Sequence, residues 1–148
     1  MKIAITGSDG YIGSVLAEKL KDTNHDIQLM DIKDWDIRTT PKKDGLVHHW
    51  LSFDVVVHLA ALVKVGESVD NPWEYYNTNI NGTQNLISHF PEAKMIFAST
   101  GAAFDLASPY AKSKVVAEDL IRNQCKEYTI FRFFNVGGRK PSNPDGLY

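Results

Sequence analysis

The hydrophobic and polar positions of this chain fall into short apolar runs separated by longer segments of helical periodicity. The run VVVHLA at 55–60 is typical of a strand that is buried on both faces of a parallel sheet. Apolar residues at positions 12, 15, 16 and 20 recur at the spacing of one helix face. Strands are predicted at residues 2–6, 26–31, 54–60, 94–100 and 128–135. Helices are predicted at residues 12–21, 72–89 and 109–124, with a shorter one at 45–51.

The alternation of these strands and helices predicts an α/β fold. A strand followed by a helix and then by a parallel neighbour forms a right-handed crossover, and several of them build an open, doubly wound parallel sheet. Ligands of such sheets bind beyond the carboxyl ends of the strands. We therefore expect the functional residues directly after the strands, in one domain at residues 1–136. Residues 137–148, which are rich in Gly, Pro, Ser and Asn, are predicted to form a C-terminal tail.

Composition narrows the class of protein. The 148 residues carry a net charge of −2, which provides no basic field for nucleic acid or an anionic membrane surface. No run reaches the roughly 18 apolar residues of a membrane-spanning helix, and the segment before Gly7 is too short for the apolar core of a signal peptide. The single cysteine, Cys125, excludes an internal disulfide and fits a reducing compartment, so we expect a cytoplasmic protein.

Three glycines follow the first predicted strand in the segment TGSDGYIG. Gly7 permits a tight turn, Gly10 lets the backbone approach a pyrophosphate, and Gly13 lets the helix pack close to the sheet. This spacing is a variant of the dinucleotide-binding fingerprint of Rossmann-like folds, in which the phosphates lie against the N–H groups that open the helix. The alternative is an ordinary strand-turn-helix junction. The strand before the glycines and the amphipathic helix after them favour the fingerprint.

Asp31 ends the second predicted strand. An acidic side chain about 20 residues beyond the fingerprint accepts hydrogen bonds from the ribose hydroxyls of adenosine. Such a carboxylate repels a 2′-phosphate, so Asp31 favours NAD over NADP as the cofactor. A turn-capping aspartate is the alternative, and Lys33 nearby keeps NADP open.

Tyr110 and Lys114 are four residues apart on the helix that Ser108 and Pro109 open. They therefore share a helix face, where a lysine ammonium would lower the pKa of the phenol. A phenol of lowered pKa is suited to act as general acid and base toward a substrate hydroxyl. The alternative is a surface tyrosine beside a solvated lysine.

Ser99 and Thr100 end the fourth predicted strand, at the edge of the sheet where ligands bind. A hydroxyl there is placed to orient a substrate oxygen, and capping of the strand end is the alternative. The five histidines have no metal-binding spacing, and His58 lies in a strand run, so core or surface histidines are expected rather than metal ligands. No metal site is predicted.

Together these motifs resemble the extended short-chain dehydrogenase/reductase family, and in particular its NAD-dependent nucleotide-sugar epimerases and dehydratases. TGSDGYIG at 6–13 is similar to the TGxxGxxG of that group, and SPYAKSK at 108–114 to its PYxxSK helix. FRFFNVGGR at 131–139 is similar to its RxFNxxG strand, and HLAALVKVGESVDNPWEYYNTNINGTQNLI at 58–87 to the epimerase segment after the fourth strand of that group. The resemblance covers nearly all of the chain.

The resemblance implies a function and a set of site residues. NAD would take a hydride from a carbon of a nucleotide-sugar, with a UDP-sugar expected, while Tyr110 takes the hydroxyl proton; the rotated ketose would then be reduced on its other face. Lys114 would hold the nicotinamide ribose and tune Tyr110, and Thr100 would be the catalytic hydroxyl. The implied substrate contacts are Ser99 and Asn135. The implied cofactor contacts are Gly7, Gly10, Tyr11, Ile12, Gly13, Asp31, Asp36, Ile37, Leu59, Ala60, Ala61, Asn79 and Lys114.

The same resemblance implies a partner and a missing part. Helices at 72–89 and 109–124 pair across subunits in this family, so a homodimer is expected. The family continues beyond its RxFNxxG strand with a part that closes over the nucleotide-sugar, and we expect this substrate-binding C-terminal part to be missing here. Two functions therefore stay open. One is an epimerase-like oxidoreductase; the other is a cofactor-binding module, which is a regulatory or scaffold protein or one half of a two-chain enzyme.

Overall fold

The computed structural model describes residues 1–39 and 52–138 of the chain. Within them, five parallel strands form one sheet in the order β2-β1-β3-β4-β5. The chain crosses from β2 at one edge past β1 to β3, so the sheet is wound outward in two directions. The strands are β1 (Lys2–Thr6), β2 (Asp26–Met30), β3 (Val55–His58), β4 (Lys94–Thr100) and β5 (Tyr128–Phe133). The predicted α/β fold with a Rossmann-like, doubly wound parallel sheet is confirmed.

The central strands contain the apolar runs that predicted them. Ile5 of β1 and Val56 of β3 are fully buried, and Thr6 pairs in register with His58 at the carboxyl ends of these strands. The strand order reverses direction between β1 and β3, which is where an open sheet leaves a crevice for a ligand. β2, β3 and β5 end one or two residues before their predicted ends, so the residues after them belong to the walls of this crevice.

Helices flank the sheet on both faces. α5 begins as predicted: Pro109 is its first residue, and the Ser108 hydroxyl accepts a hydrogen bond from the amide of Ala111 at 3.1 Å. The helices are α1 (Tyr11–Leu20), α2 (Val65–Asp70), α3 (Pro72–Tyr76), α4 (Gly82–His89) and α5 (Pro109–Gln124). A π-helical turn at Asn77–Asn81 joins α3 to α4, and a 3-10 turn at Gly101–Phe104 follows β4. None of the helices described is both long and apolar enough to cross a membrane.

Two helix predictions need correction. Residues 72–89 do not form one α-helix, because the π-helical turn at Asn77–Asn81 widens the middle of the segment. This turn places the side chain of Asn79 in the interior, where it binds the loop after β3. The prediction also misses α2, because a helix of six residues is too short to show a helical periodicity in the sequence. The predicted helix at 45–51, and the tail beyond residue 138, lie outside the described residues.

The sheet separates two apolar clusters. On one face, α4 and α5 bury the larger cluster, which includes Leu86, Phe97 and Ile121. On the other face, α1 packs over β1 and β3. Beside α1, this second face is open in a groove of about 390 Å³ with aliphatic and aromatic walls. The groove reaches β5, where the rings of Phe131 and Phe133 stack at a centroid distance of 6.0 Å and stay partly exposed.

Candidate functional site

A cleft of about 1110 Å³ opens at the carboxyl ends of the strands. It extends from the turn after β1 to the first two turns of α5. Of the predicted site residues, Asn79 is the one that does not line this cleft. Those that do are Gly7, Gly10, Tyr11, Ile12, Gly13, Asp31, Asp36, Ile37, Leu59, Ala60, Ala61, Ser99, Thr100, Tyr110, Lys114 and Asn135. The structure therefore brings these residues together, and their individual roles stay predictions.

The turn after β1 brings backbone segments close together. Gly7 has φ +68°, and a Cβ on it would lie 2.7 Å from the amide nitrogen of Ala60. A Cβ on Gly13 would collide with the carbonyl oxygen of Gly7. α1 then begins at Tyr11, and its N-cap residue, Gly10, makes no side-chain cap. This arrangement fits the pyrophosphate of a dinucleotide, because the backbone can approach the phosphates closely at the positive end of a helix dipole.

Asp31 lies at the carboxyl end of β2, on the wall of the cleft. Its carboxylate accepts hydrogen bonds from the amides of Asp9 at 2.9 Å and Ile32 at 2.8 Å. Asp31 therefore caps a turn, as the alternative interpretation proposed. Its hydrogen bond with Asp9 connects the glycine turn to the end of β2. Each carboxylate oxygen has a further lone pair, so the group is also able to accept hydrogen bonds from ribose hydroxyls. Lys33 forms an exposed ion pair with Asp9.

Asp36 and Ile37 lie farther along the wall of the cleft. Arg38 binds the Asp36 carboxylate through Nε at 2.9 Å and a terminal nitrogen at 2.7 Å, and this holds the pKa of Asp36 below its ordinary value. Arg38 also reaches Glu74 on α3 at 3.3 Å. The Ile37 side chain is buried against Gly82, where an added Cβ would lie 2.7 Å from it. Ile37 therefore anchors this wall in the core, and Arg38, to which no motif pointed, orients Asp36.

Tyr110, Lys114 and Thr100 meet where β4 and α5 pack against each other. Tyr110 is 9% exposed and Lys114 is 3% exposed, so the alternative of a surface tyrosine beside a solvated lysine is wrong. The Thr100 hydroxyl lies close enough to the Tyr110 phenol to act on its pKa. The ammonium nitrogen of Lys114 lies 4.1 Å from the centroid of the Phe97 ring. A phenol, a hydroxyl and an amine are thus gathered on one wall of the cleft.

The acid–base state of this group differs from the prediction. Burial raises the pKa of Tyr110, and the nearby Thr100 hydroxyl opposes this only in part. The prediction of a lowered pKa for Tyr110 is therefore wrong for this structure. The physical reason is that burial also lowers the pKa of Lys114, to about 7. The lysine is only partly charged at neutral pH, which weakens its effect on the phenol.

Ser99 and Asn135, the two predicted substrate contacts, differ in their surroundings. The Ser99 hydroxyl is buried and donates a hydrogen bond to the Glu118 carboxylate at 2.5 Å. The Ser99 proton is thus engaged in a hydrogen bond within the protein, whereas the Thr100 hydroxyl lies near the Tyr110 phenol. Thr100 also accepts a hydrogen bond from the amide of Ala102 at 3.2 Å, so it caps the end of β4 as well. Asn135 is exposed on the rim of the cleft, and both substrate assignments stay predictions.

His58 is a buried core residue, and it lies in a hydrogen-bond chain with a definite direction. The Thr83 hydroxyl donates to the carbonyl of Asn79 at 2.6 Å, so it accepts from Nε2–H of His58 at 2.9 Å. Nδ1 of His58 then accepts from the Thr6 hydroxyl at 2.9 Å, and that hydroxyl accepts from the amide of Ala60 at 3.3 Å. The imidazole is therefore neutral with its proton on Nε2.

Asn79 extends this chain to the helix that carries Tyr110. Its side chain binds the amide of Leu62 at 2.9 Å and the carbonyl of Leu62 at 3.0 Å, and donates to the Ser113 hydroxyl at 2.9 Å. Ser113 donates to the carbonyl of Tyr110 at 2.7 Å. Asn79 thus holds the loop after β3, which lines the cleft, rather than lining the cleft itself.

The buried neutral state of His58 predicts a loss of stability in acid. Burial, and secondarily the charge of Lys114, lowers the pKa of His58 to about 3 from an ordinary value of 6.5. Between these values the unfolded chain binds a proton that the folded chain does not, so the free energy of unfolding falls as the pH falls. The slope from this group approaches about 1.4 kcal/mol per pH unit. Urea unfolding of the full chain between pH 4.5 and 6.5 measures it.

His58→Gln is expected to flatten this slope, whatever its effect on absolute stability. His25→Gln is the matched control, because His25 is exposed and its variant is expected to keep the wild-type slope. The window ends at pH 4.5 because Glu118, whose pKa is held at about 2, contributes a slope of the same sign below that pH. Equal slopes in His58→Gln and the wild type would contradict the assignment.

Comparisons with known proteins agree with these observations. The sequence profile described as the NAD dependent epimerase/dehydratase family matches residues 3–147. A UDP-glucose 4-epimerase of Halalkalibacterium halodurans is 30% identical over 183 aligned residues, which cover 99% of this chain and 54% of that protein. The structure of the UDP-Glc/GlcNAc 4-epimerase from Campylobacter jejuni aligns with a TM-score of 0.77 at 28% identity, over 88% of this chain and 52% of that one. A UDP-glucose 4-epimerase from Brucella ovis in complex with NAD aligns with a TM-score of 0.79 at 25% identity, over 90% and 52% of the two chains.

The chain spans about half the length of the curated relatives it matches. The matched half contains the glycine turn, the carboxylate wall and the tyrosine-lysine helix. The profile runs through all three of these features, and the solved structures share the sheet that positions them. On this agreement of profile, sequence and fold, the chain belongs to the NAD-dependent epimerase/dehydratase family.

Proposed function

We propose that this chain is the cofactor-binding and proton-transferring part of an NAD-dependent nucleotide-sugar epimerase. The observation that carries the proposal is that Tyr110, Lys114 and Thr100 line the same cleft as the glycine turn. A backbone cradle suited to pyrophosphate and a buried acid–base group thus share one cavity. The relatives named as UDP-glucose 4-epimerases support a UDP-sugar as the substrate.

Three side chains perform the proton transfer in this proposal. NAD, when bound, supplies the acceptor and donor of the hydride that is exchanged with a sugar carbon. The phenol oxygen of Tyr110 receives the proton of the substrate hydroxyl and returns it in the reverse step. Thr100 lies beside that oxygen and is placed to orient the substrate hydroxyl. Lys114, when protonated, favours the deprotonated phenol and donates hydrogen bonds to ribose hydroxyls.

The remaining wall of the cleft binds the cofactor. Gly7, Gly10 and Gly13 leave room for the pyrophosphate at the start of α1. Asp31 accepts from the adenosine ribose and favours NAD, because a 2′-phosphate would bring like charges together. Lys33 does not offset that charge, since it is paired with Asp9. The other proposed contacts are Tyr11, Ile12, Asp36, Ile37, Leu59, Ala60 and Ala61, with Asn79 acting through the loop it holds.

A second candidate function rests on a different observation. Among the described residues, Phe134, beside Asn135 on the rim of the cleft, is 74% exposed. A nucleotide-sugar bound at this rim would lie open to water on one side. This favours a cofactor-binding module, either one half of a two-chain enzyme or a regulatory or scaffold protein without turnover of its own.

One experiment separates the candidates. The full chain is titrated with NAD by calorimetry and then incubated with NAD and UDP-glucose or UDP-galactose, with the sugars followed by NMR. Interconversion of the two sugars supports the epimerase. NAD binding without interconversion supports the module, and failure to bind NAD contradicts both.

We also propose a cytoplasmic homodimer that pairs through residues 72–89 and 109–124. Trp73 on α3 and Val116 on α5 are 71% and 41% exposed, which supports a partner surface on these helices. Sedimentation velocity on the preparation used for calorimetry tests the pairing. A single monomer boundary at all concentrations would contradict it.

A further inference from the structure

Glu118 on α5 is a fully buried carboxylate whose partners come from three elements. Arg132 on β5 binds it through Nε at 2.8 Å and a terminal nitrogen at 2.7 Å, and Arg122 on α5 binds it at 2.6 Å. The Ser99 hydroxyl, at the end of β4, donates to the same carboxylate. Burial alone would raise the pKa of Glu118, but the hydrogen bonds from Arg132, Ser99 and Arg122 lower it to about 2. Glu118 is therefore an anion throughout the physiological pH range.

Glu118 lies one helical turn beyond Lys114, so both side chains project from the same face of α5. Lys114 is 3% exposed, and the aromatic face of Phe97 replaces only part of the hydration that a charged ammonium loses. Burial favours the neutral amine, and the negative charge of Glu118 favours the ammonium. The charge of Lys114 therefore depends on a side chain outside the motifs that identify the site.

We infer that Glu118 is a positioning residue of the proposed proton-transfer site, whose buried carboxylate favours the charged form of Lys114 and ties α5, through Ser99, to the strand end that carries Thr100. The inference rests on the proposed function for its catalytic meaning, because a charged lysine is what favours the deprotonated Tyr110. The effect of Glu118 on Lys114 is a property of the folded chain, and it requires neither cofactor nor substrate.

The other groups near Lys114 do not supply this negative charge. Among the described residues, Glu118 is the group whose charge acts on Lys114. The other carboxylates on α5 and on the helices α2 and α3 packed against it are exposed, so water screens their charges; they are Asp119, Glu67, Asp70 and Glu74. The remaining titratable and charged groups in this region are Tyr110, Tyr75, His58, Arg122 and Arg132. The two tyrosines have raised pKa values and are uncharged at neutral pH. His58 is neutral because of its burial. Arg132 is a cation, so removing the carboxylate would leave Lys114 facing a like charge.

The test substitutes Glu118→Gln in the full chain without ligands. The amide keeps the shape of the side chain and an oxygen acceptor, and removes the negative charge. The midpoint at which Lys114 titrates is expected to fall by about one pH unit, the low end of the effect of a neighbouring opposite charge. The measurement is the pH dependence of the Lys114 13Cε chemical shift in NMR, with the resonance assigned by its loss in Lys114→Met.

Asp119→Asn is the matched control. It makes the same charge change one residue further along α5, where the side chain is 63% exposed and pairs with Arg122 at 3.1 Å. Because water and salt screen this group, its variant is expected to leave the Lys114 midpoint within about 0.2 pH unit. Equal shifts in the two variants, or no shift in Glu118→Gln, would overturn the inference.

Arg132→Met is a second test, in which the Lys114 midpoint is expected to shift in the opposite direction. It tests the inference even if Glu118→Gln does not fold. It removes the cation and leaves the carboxylate less compensated, so the Lys114 midpoint is expected to rise. A fall or no change would overturn the inference. If the expected shifts are found in a chain that never interconverts UDP-sugars, the proposed function fails while the control of Lys114 by Glu118 stands.

Discussion

Substitution of Tyr110 by phenylalanine is expected to reduce the interconversion of UDP-sugars by about 10²–10⁴-fold, the usual contribution of a positioned general acid–base group. Phenylalanine keeps the ring, which meets Tyr75 edge to face at a centroid distance of 6.4 Å, and removes only the oxygen that accepts the proton. The loss is expected in kcat. NAD affinity is expected to stay within about twofold, because the lost interaction acts on the reacting proton. Steady-state kinetics and calorimetric titration measure the two quantities.

Tyr75→Phe is the matched control for this prediction. Tyr75 is buried, touches the Tyr110 ring and does not line the cleft, so the same chemical change is made one side chain away from the site. This variant is expected to keep its activity within a few fold. A Tyr110→Phe enzyme with more than about one tenth of the wild-type rate would rule out Tyr110 as the base. So would equal losses in the two variants.

The fold was predictable where a short stretch of chain determines its own structure. Ser108 and Pro109 predict the start of α5. The Ser108 hydroxyl caps the helix, Pro109 has no amide proton to leave unpaired, and both effects act within one helical turn. The π-helical turn at Asn77–Asn81 has no such local signal. It exists because Asn79 binds Leu62, 17 residues away, and a regular α-helix over 72–89 would place that amide elsewhere. The missed feature is a product of tertiary structure.

In the candidate site too, features that depend on a short stretch of chain were predictable, and features that depend on tertiary structure were not. The glycine spacing and the tyrosine-lysine pair are visible in the sequence because each needs only a turn or one helix face. The charge states of Tyr110 and Lys114 could not be predicted in this way, because they depend on burial in the folded chain. Lys114 loses charge because it is buried where α5 packs against β4, and it retains part through Glu118. Two of the partners of Glu118 lie 19 residues away at Ser99 and 14 residues away at Arg132, and no motif links either of them to it.

Substitution of Gly13 by alanine is expected to abolish tight binding of NAD and to destabilise the fold. The added Cβ would collide with the carbonyl oxygen of Gly7 and lie 2.8 Å from Cα of Ser8. Both neighbours are backbone atoms, so the clash is relieved only if the turn after β1 moves away from α1. An overpacked core position costs about 1–3 kcal/mol of folding stability. The displaced turn is the one proposed to hold the pyrophosphate, and NAD affinity is expected to fall by at least about tenfold, or 1.4 kcal/mol.

Gly66→Ala separates this effect from the general effect of losing a glycine. Gly66 lies in α2, and a Cβ placed there would meet nothing within 4 Å. Alanine is the better helix former, so this variant is expected to be as stable as the wild type or more stable by about 0.5–1 kcal/mol, with unchanged NAD affinity. Urea unfolding and calorimetric titration compare the three proteins. A Gly13→Ala protein that binds NAD as tightly as Gly66→Ala would show that the pyrophosphate does not lie against this turn, because the Cβ leaves the turn no room to keep its present path beside α1.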